Sequence, residues 1–129
     1  MTRSTSNRNA RGNTIERRRR REWLVDAFRA DVDVIIVTWP EGHTSQWTWR
    51  PEIERDPRLA RAVNWVRMPA CRCYRCGNLL TVDTVTVDRR LPGVHGGTYT
   101  AENCRPACGH CNSSVGGKIG AARAAGVLA

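Results

Sequence analysis

The sequence predicts a small α+β protein: a basic helix, a β-hairpin and a second helix, then a ββα unit framed by four cysteines. Three observations carry this expectation. Two Cys-x-x-Cys pairs, Cys73/Cys76 and Cys108/Cys111, bracket the 31 residues 77–107. Inside that interval apolar and polar residues alternate as in strands, Leu79 to Val82 and Thr84 to Asp88. Ahead of it, eight arginines and one glutamate crowd into residues 1–21.

At 129 residues the chain suits one domain with a short appendage. Its longest apolar run, Val34 to Val37, is far below the roughly 18–20 residues that cross a bilayer. The opening MTRSTSNRNA lacks the apolar core of a secretory signal. A membrane protein, a secreted scaffold and a multidomain enzyme are excluded on these grounds, and a cytoplasmic location is expected. The net charge of +9 sits mostly at the N-terminal end, which points to a polyanion partner, DNA or RNA first. A GC-rich genome explains 20 arginines against one lysine, but it does not explain their clustering.

Residues 1–13 read as a disordered basic arm. Asn13 or Thr14 caps a helix expected over Ile15 to Ala30. Arg17, Arg18, Arg19, Arg20 and Arg21 circle more than one turn of it, a nucleic-acid-binding surface, and Trp23, Leu24, Ala27 and Phe28 give it one face to bury. Asp31 to Trp39 reads as a strand, Pro40 to His43 as a turn, and residues 44–49 as the returning strand, with Trp47 and Trp49 on one face. Those tryptophans suit base stacking or, more simply, packing in a small core. Asp56-Pro57 starts a second helix expected to reach Met68, with Leu59, Ala60, Val63 and Val66 as its buried stripe. The division is then 1–13, 14–70, 71–117 for the ββα unit, and a tail, 118–129.

Two Cys-x-x-Cys pairs suit a closed tetrahedral zinc site, each pair presenting two thiolates from a tight turn. Cys71 is an alternative to Cys73 as the first ligand, whereas Cys104 reads as a small buried hydrophobe. The interval is longer than a simple zinc ribbon needs, so it holds structure: strand, the loop Leu91 to Gly97, a return strand over Glu102 to Pro106, and a short helix opened by the last pair and ended by Gly116-Gly117.

The stretch from Cys73 to Gly117 resembles the HNH endonucleases, specifically the small zinc-stapled proteins encoded by bacteriophages. The residues that carry the likeness are CYRCG at 73–77, VDR at 87–89, GGTYTAENCRPAC at 96–108 and Cys111-Asn112. The resemblance implies that Asp88 and Asn112 are the protein ligands of a catalytic divalent cation, Mg²⁺ or Mn²⁺, and that Asn103 ties the loop through backbone hydrogen bonds. Oxygen donors with room for waters and a substrate phosphate suit such an ion. By the same likeness the activity is nicking or cleavage of DNA, and a phage protein of this kind works in the host cytoplasm, with a link to terminase and DNA packaging.

One position departs from the family pattern. Where the general-base His usually follows the acidic residue, this chain has Arg89, whose guanidinium cannot accept a proton near neutrality. Arg89 suits a phosphate clamp instead. The base role then falls to His95, favoured for its place in the loop, or to Tyr99, His110 or hydroxide on the metal. The rival expectation is a zinc-dependent DNA-binding module with weak or lost hydrolysis. Lys118 and Arg123 are expected to touch phosphates or nothing.

Overall fold

A computed structural model describes residues 12–113. The expected arm up to residue 11, the helix end at Gly116-Gly117, Lys118, Arg123 and the tail lie outside the described residues.

Helix α1 spans Thr14–Ala27. Its start follows from Asn13, whose side-chain oxygen accepts the Glu16 N–H at 2.8 Å. The helix stops at Ala27 rather than at the expected Ala30, and its packed face is not the expected one. Leu24 and Val25 are buried, while Trp23 and Phe28 stay about 40% and 37% exposed and meet edge-on at 6.3 Å. Leu24 and Val25 continue a row begun by Arg17, Arg20 and Arg21, all half-buried, at spacings of three and four residues. The aliphatic stems of arginine can serve a packed face as well as apolar side chains do. The face that packs is therefore rotated toward the arginines.

Strands β1 (Val34–Thr38), β2 (Thr44–Thr48) and β3 (Asn64–Met68) form an antiparallel sheet in the order β2-β1-β3. The hairpin register pairs Ile35 with Trp47 and Val37 with Ser45. The expected second helix over 56–68 does not form. Asp56 does act as a cap, accepting the Arg58 N–H at 2.9 Å, but the turn it starts is a 3-10 segment, Pro57–Arg61, that ends at once. Val63, Trp65 and Val66 are β-branched or aromatic, and β1 presents a second edge of backbone donors and acceptors. Pairing on that edge wins, with Val37 opposite Trp65 and the Val63 N–H bonded to the Thr38 carbonyl at 2.8 Å. As a result Val63 and Val66, placed in a buried stripe by helical spacing, are 62% and 52% exposed. The sheet's core is Ile35, Val37 and Ile53, with Trp39, Trp47, Trp49 and Trp65 packed around it. Trp47 and Trp49 thus serve a small core, closed by sheet and 3-10 turns rather than by helices.

The rest of the chain forms two ribbons and a helix. β4 (Cys71–Arg72) pairs with β5 (Leu79–Leu80), and β6 (Val85–Arg89) pairs with β7 (Cys104–Cys108). The strand expected over Leu79 to Val82 is cut to two residues because Thr81–Thr84 is a turn, in which Thr84 Oγ1 accepts the Thr81 N–H at 2.9 Å. The return strand comes two residues later than expected, since 101–103 is a 3-10 turn. β6, β7 and the helix α2 (residues 109–113) that follows β7 make the ββα unit. Its core joins Val85, Cys104, Ala107 and Cys111 to Leu24 and Val25 of α1, so the basic helix is built into it.

Candidate functional site

Cys73, Cys76, Cys108 and Cys111 come together, their sulfurs all within 4.8 Å of one another. Gly77, at φ +79°, turns the first pair back so that its N–H reaches the Cys73 carbonyl at 3.0 Å. The second pair lies where β7 runs into α2, and the Cys111 N–H reaches Cys108 Sγ at 3.3 Å. Cys76 Sγ and Cys108 Sγ stand 3.9 Å apart, against about 3.8 Å for the edge of a tetrahedron with zinc–sulfur bonds of about 2.3 Å. Burial pushes the Cys73 thiol up, but backbone N–H groups of Cys76, Cys108 and Arg75 outweigh it and hold the thiol down at about 6. Its neighbour Cys108 chiefly, with burial second, pushes Cys111 up to about 12. Four such sulfurs share charge comfortably only around a cation, and the donor set fits zinc. Cys71 is not in this group: it is buried in the core with its thiol pushed up by burial to about 11. Cys104 is likewise a buried core thiol.

Beside the cysteines lies a cleft of about 540 Å³ between α1 and the ββα unit. Asp88 and Asn112 both line it. Thr86 and Asp88 share one face of β6, because side chains alternate along a strand. Asn112, projecting from α2, donates from Nδ2 to Thr86 Oγ1 at 3.1 Å and to the Val87 carbonyl at 3.4 Å. Thr86 Oγ1 in turn donates to the Ala107 carbonyl at 2.7 Å. This chain fixes the amide so that its Oδ1 is the atom left for the cleft. Asp88 is buried, and its Oδ2 accepts from Arg105 Nε at 2.6 Å. Arg105 stands directly across the ladder from Asp88 and also stacks on Tyr74, 3.7 Å from the ring centroid. Carboxylate and amide oxygens are hard donors, so the pair suits Mg²⁺ or Mn²⁺ better than a soft metal.

Six arginines line the same cleft: Arg17, Arg20, Arg21, Arg89, Arg90 and Arg105, around the one carboxylate of Asp88. Arg89 donates to the Gly97 carbonyl at 3.3 Å and lies 4.3 Å from the Tyr99 ring centroid. Arg20 reaches Tyr99 at the same distance from α1. The loop behind them is held by Asn103, whose side chain accepts the Leu91 N–H at 2.7 Å and donates to the Leu91 and Thr98 carbonyls at 3.0 and 2.7 Å. Gly97 is needed there, because a Cβ would collide with the Leu91 carbonyl. His95 ends a 3-10 turn on the exposed side of this loop, and His110 is exposed on α2; neither lines the cleft among the described residues.

Residues 73–118 match the family model described as HNH endonuclease. That segment is similar to an HNH domain. No curated protein and no solved structure matches the chain. An HNH domain implies nuclease chemistry with DNA as the substrate, and the matched segment begins at the first cysteine of the metal cluster.

The sequence reading missed Arg105, whose partner is Asp88. The signal was available in the return strand, since an arginine opposite the acidic residue of β6 follows once the ladder's register is known. It also treated Arg17 to Arg21 as one surface. Arg18 does not line the cleft among the described residues and is paired with Glu22 at 3.7 Å and Asp83 at 3.4 Å, and Arg19 is exposed.

Proposed function

We propose that the protein is a metal-dependent DNA endonuclease or nickase that hydrolyses phosphodiester bonds. The observation that carries this reading is one cleft lined by Asp88, Asn112 and six arginines, next to a four-cysteine cluster. Zinc on the four thiolates holds the ββα unit in shape. Asp88 and Asn112 hold a divalent cation, Mg²⁺ or Mn²⁺, which when bound supplies charge for the scissile phosphate and the leaving oxygen. Arg89, with its in-plane N–H groups, clamps a non-bridging phosphate oxygen and stabilises the charge that builds there. Asn103 keeps the loop that carries Arg89's partners, Gly97 and Tyr99, in place. The guanidiniums of α1 add salt-sensitive attraction for the backbone. His95, the favoured base from the sequence, is an exposed residue of the loop that Asn103 holds. Action in the cytoplasm of a phage-infected cell, beside terminase, rests on the family likeness.

Nicking of supercoiled plasmid in Mg²⁺ or Mn²⁺ tests the reading. The wild type is expected to cut, Asp88→Ala and Asn112→Ala to lose detectable cutting, and Arg89→Gln to fall by about 10²–10³. Absence of wild-type cutting at high protein with both metals favours a DNA-binding module without hydrolysis. Full activity in Asp88→Ala overturns the site.

A further inference from the structure

We infer that α1 forms a wall of the active cleft, and that its Arg17, Arg20 and Arg21 face, rather than the arginine run as a whole, grips the phosphates flanking the scissile bond. The inference rests on the nuclease reading for the identity of the polyanion. α1 lies outside the HNH match, which starts at residue 73, yet it brings three of the cleft's six arginines. Their spacing of three and four residues puts them on one side of the helix. Leu24 and Val25 extend that side into the core of the ββα unit, so its direction is fixed by packing.

The remaining two arginines of the run have other surroundings. Arg18 is drawn to Glu22 and Asp83, and Arg19 is exposed off the cleft. Within the cleft the roles also divide. Arg21 Nε donates to the Val82 carbonyl at 3.2 Å, which ties α1 to the turn before β6. Arg20 and Arg89 both stack on Tyr99, one from each wall. Stacking on a ring fixes the plane of a guanidinium, and a plane fixed in advance suits recognition of phosphate oxygens. Tyr99 is therefore a shared platform for one guanidinium from α1 and one from β6. A cleft of about 540 Å³ has the size of a small-ligand pocket, so it takes a stretch of one strand's backbone while the rest of a duplex stays outside.

The test is fluorescence anisotropy with a labelled duplex oligonucleotide in divalent-free buffer, across a range of salt, using the full zinc-loaded chain. Arg17→Gln and Arg20→Gln are each expected to weaken binding and to lower the salt slope by about 1, with Arg19→Gln close to wild type. Arg20→Lys keeps the charge and loses the stack, so it is expected to hold the slope while binding more weakly. Tyr99→Phe should bind as wild type does and Tyr99→Ala as Arg20→Gln does. Equal losses in Arg17→Gln, Arg19→Gln and Arg20→Gln overturn the inference, as does a Tyr99→Ala that binds normally. Because no cleavage is read, this result is independent of plasmid nicking: a chain that binds in the predicted pattern but never cuts refutes the nuclease reading alone.

Discussion

Arginine does different work in the two regions of this molecule. Around the three-stranded sheet it is matched to acids and rings. Arg67 donates to Asp33 at 2.8 Å and covers Trp49 at 3.6 Å, and Arg58 donates to Asp56 at 2.6 Å and covers Trp47 at 4.3 Å. Asp33 also takes Arg29 at 2.9 Å. Among the described residues, six arginines line the cleft with one carboxylate, and rings and backbone carbonyls rather than acids meet Arg20, Arg21 and Arg89. Charges gathered in that imbalance repel one another, and a cleft so positive suits a polyanion such as the DNA of the proposed function. The cores differ too: the sheet's is aliphatic with tryptophans packed around it, whereas the other mixes Leu24, Val25, Leu80 and Val85 with four buried cysteines.

This contrast has breakable consequences. The largest concerns zinc, since structural zinc in small domains carries on the order of 10 kcal/mol of apparent binding free energy. Chelation is expected to abolish hydrogen-exchange protection in β6 and β7 while β1 and β3 keep much of theirs. Cys108→Ser should lose the ion, and Cys71→Ser should keep about one zinc per chain by elemental analysis. Simultaneous loss of protection in both regions on chelation breaks the contrast.

Next in size is the sheet's own core. Ile53, 1% exposed, is enclosed there, and Ile53→Ala is expected to cost about 2–5 kcal/mol in urea unfolding. Zinc content should not change. The smallest effect is pH dependence. The side-chain hydrogen bond from Arg58, aided by its backbone N–H, holds the Asp56 carboxyl down to about 2, below its unfolded value of about 3.9. Its contribution is complete above about pH 4 and fades as the pH falls toward 2. Arg58→Gln should flatten the acid limb of thermal stability slightly over that window, without touching metal binding.

Much of the ββα unit was legible because its constraints are local. Cys-x-x-Cys fixes two sulfurs on one turn, strand alternation puts Thr86 with Asp88, and an Asn beside the last cysteine is bound to share their surroundings. Helix α1 was legible from its cap and composition, but its orientation was not, because half-buried arginines do the packing that an apolar stripe was expected to do. The second helix failed for a tertiary reason: Val63 to Met68 suits a helix by spacing and a strand by side-chain shape, and only the open edge of β1 decides. Arg105 and the Arg20–Tyr99–Arg89 arrangement depend on register and on the docking of α1, neither of which is encoded in a short motif.

The most direct test is Mn²⁺ binding to the zinc-loaded protein, followed by the electron paramagnetic resonance of the free ion. Wild type is expected to take up about one Mn²⁺ per chain, with Asp88→Asn and Asn112→Ala weakened by at least about 10–100-fold and zinc retained. Equal Mn²⁺ uptake by wild type and Asp88→Asn contradicts the assignment of Asp88 and Asn112 to one cation.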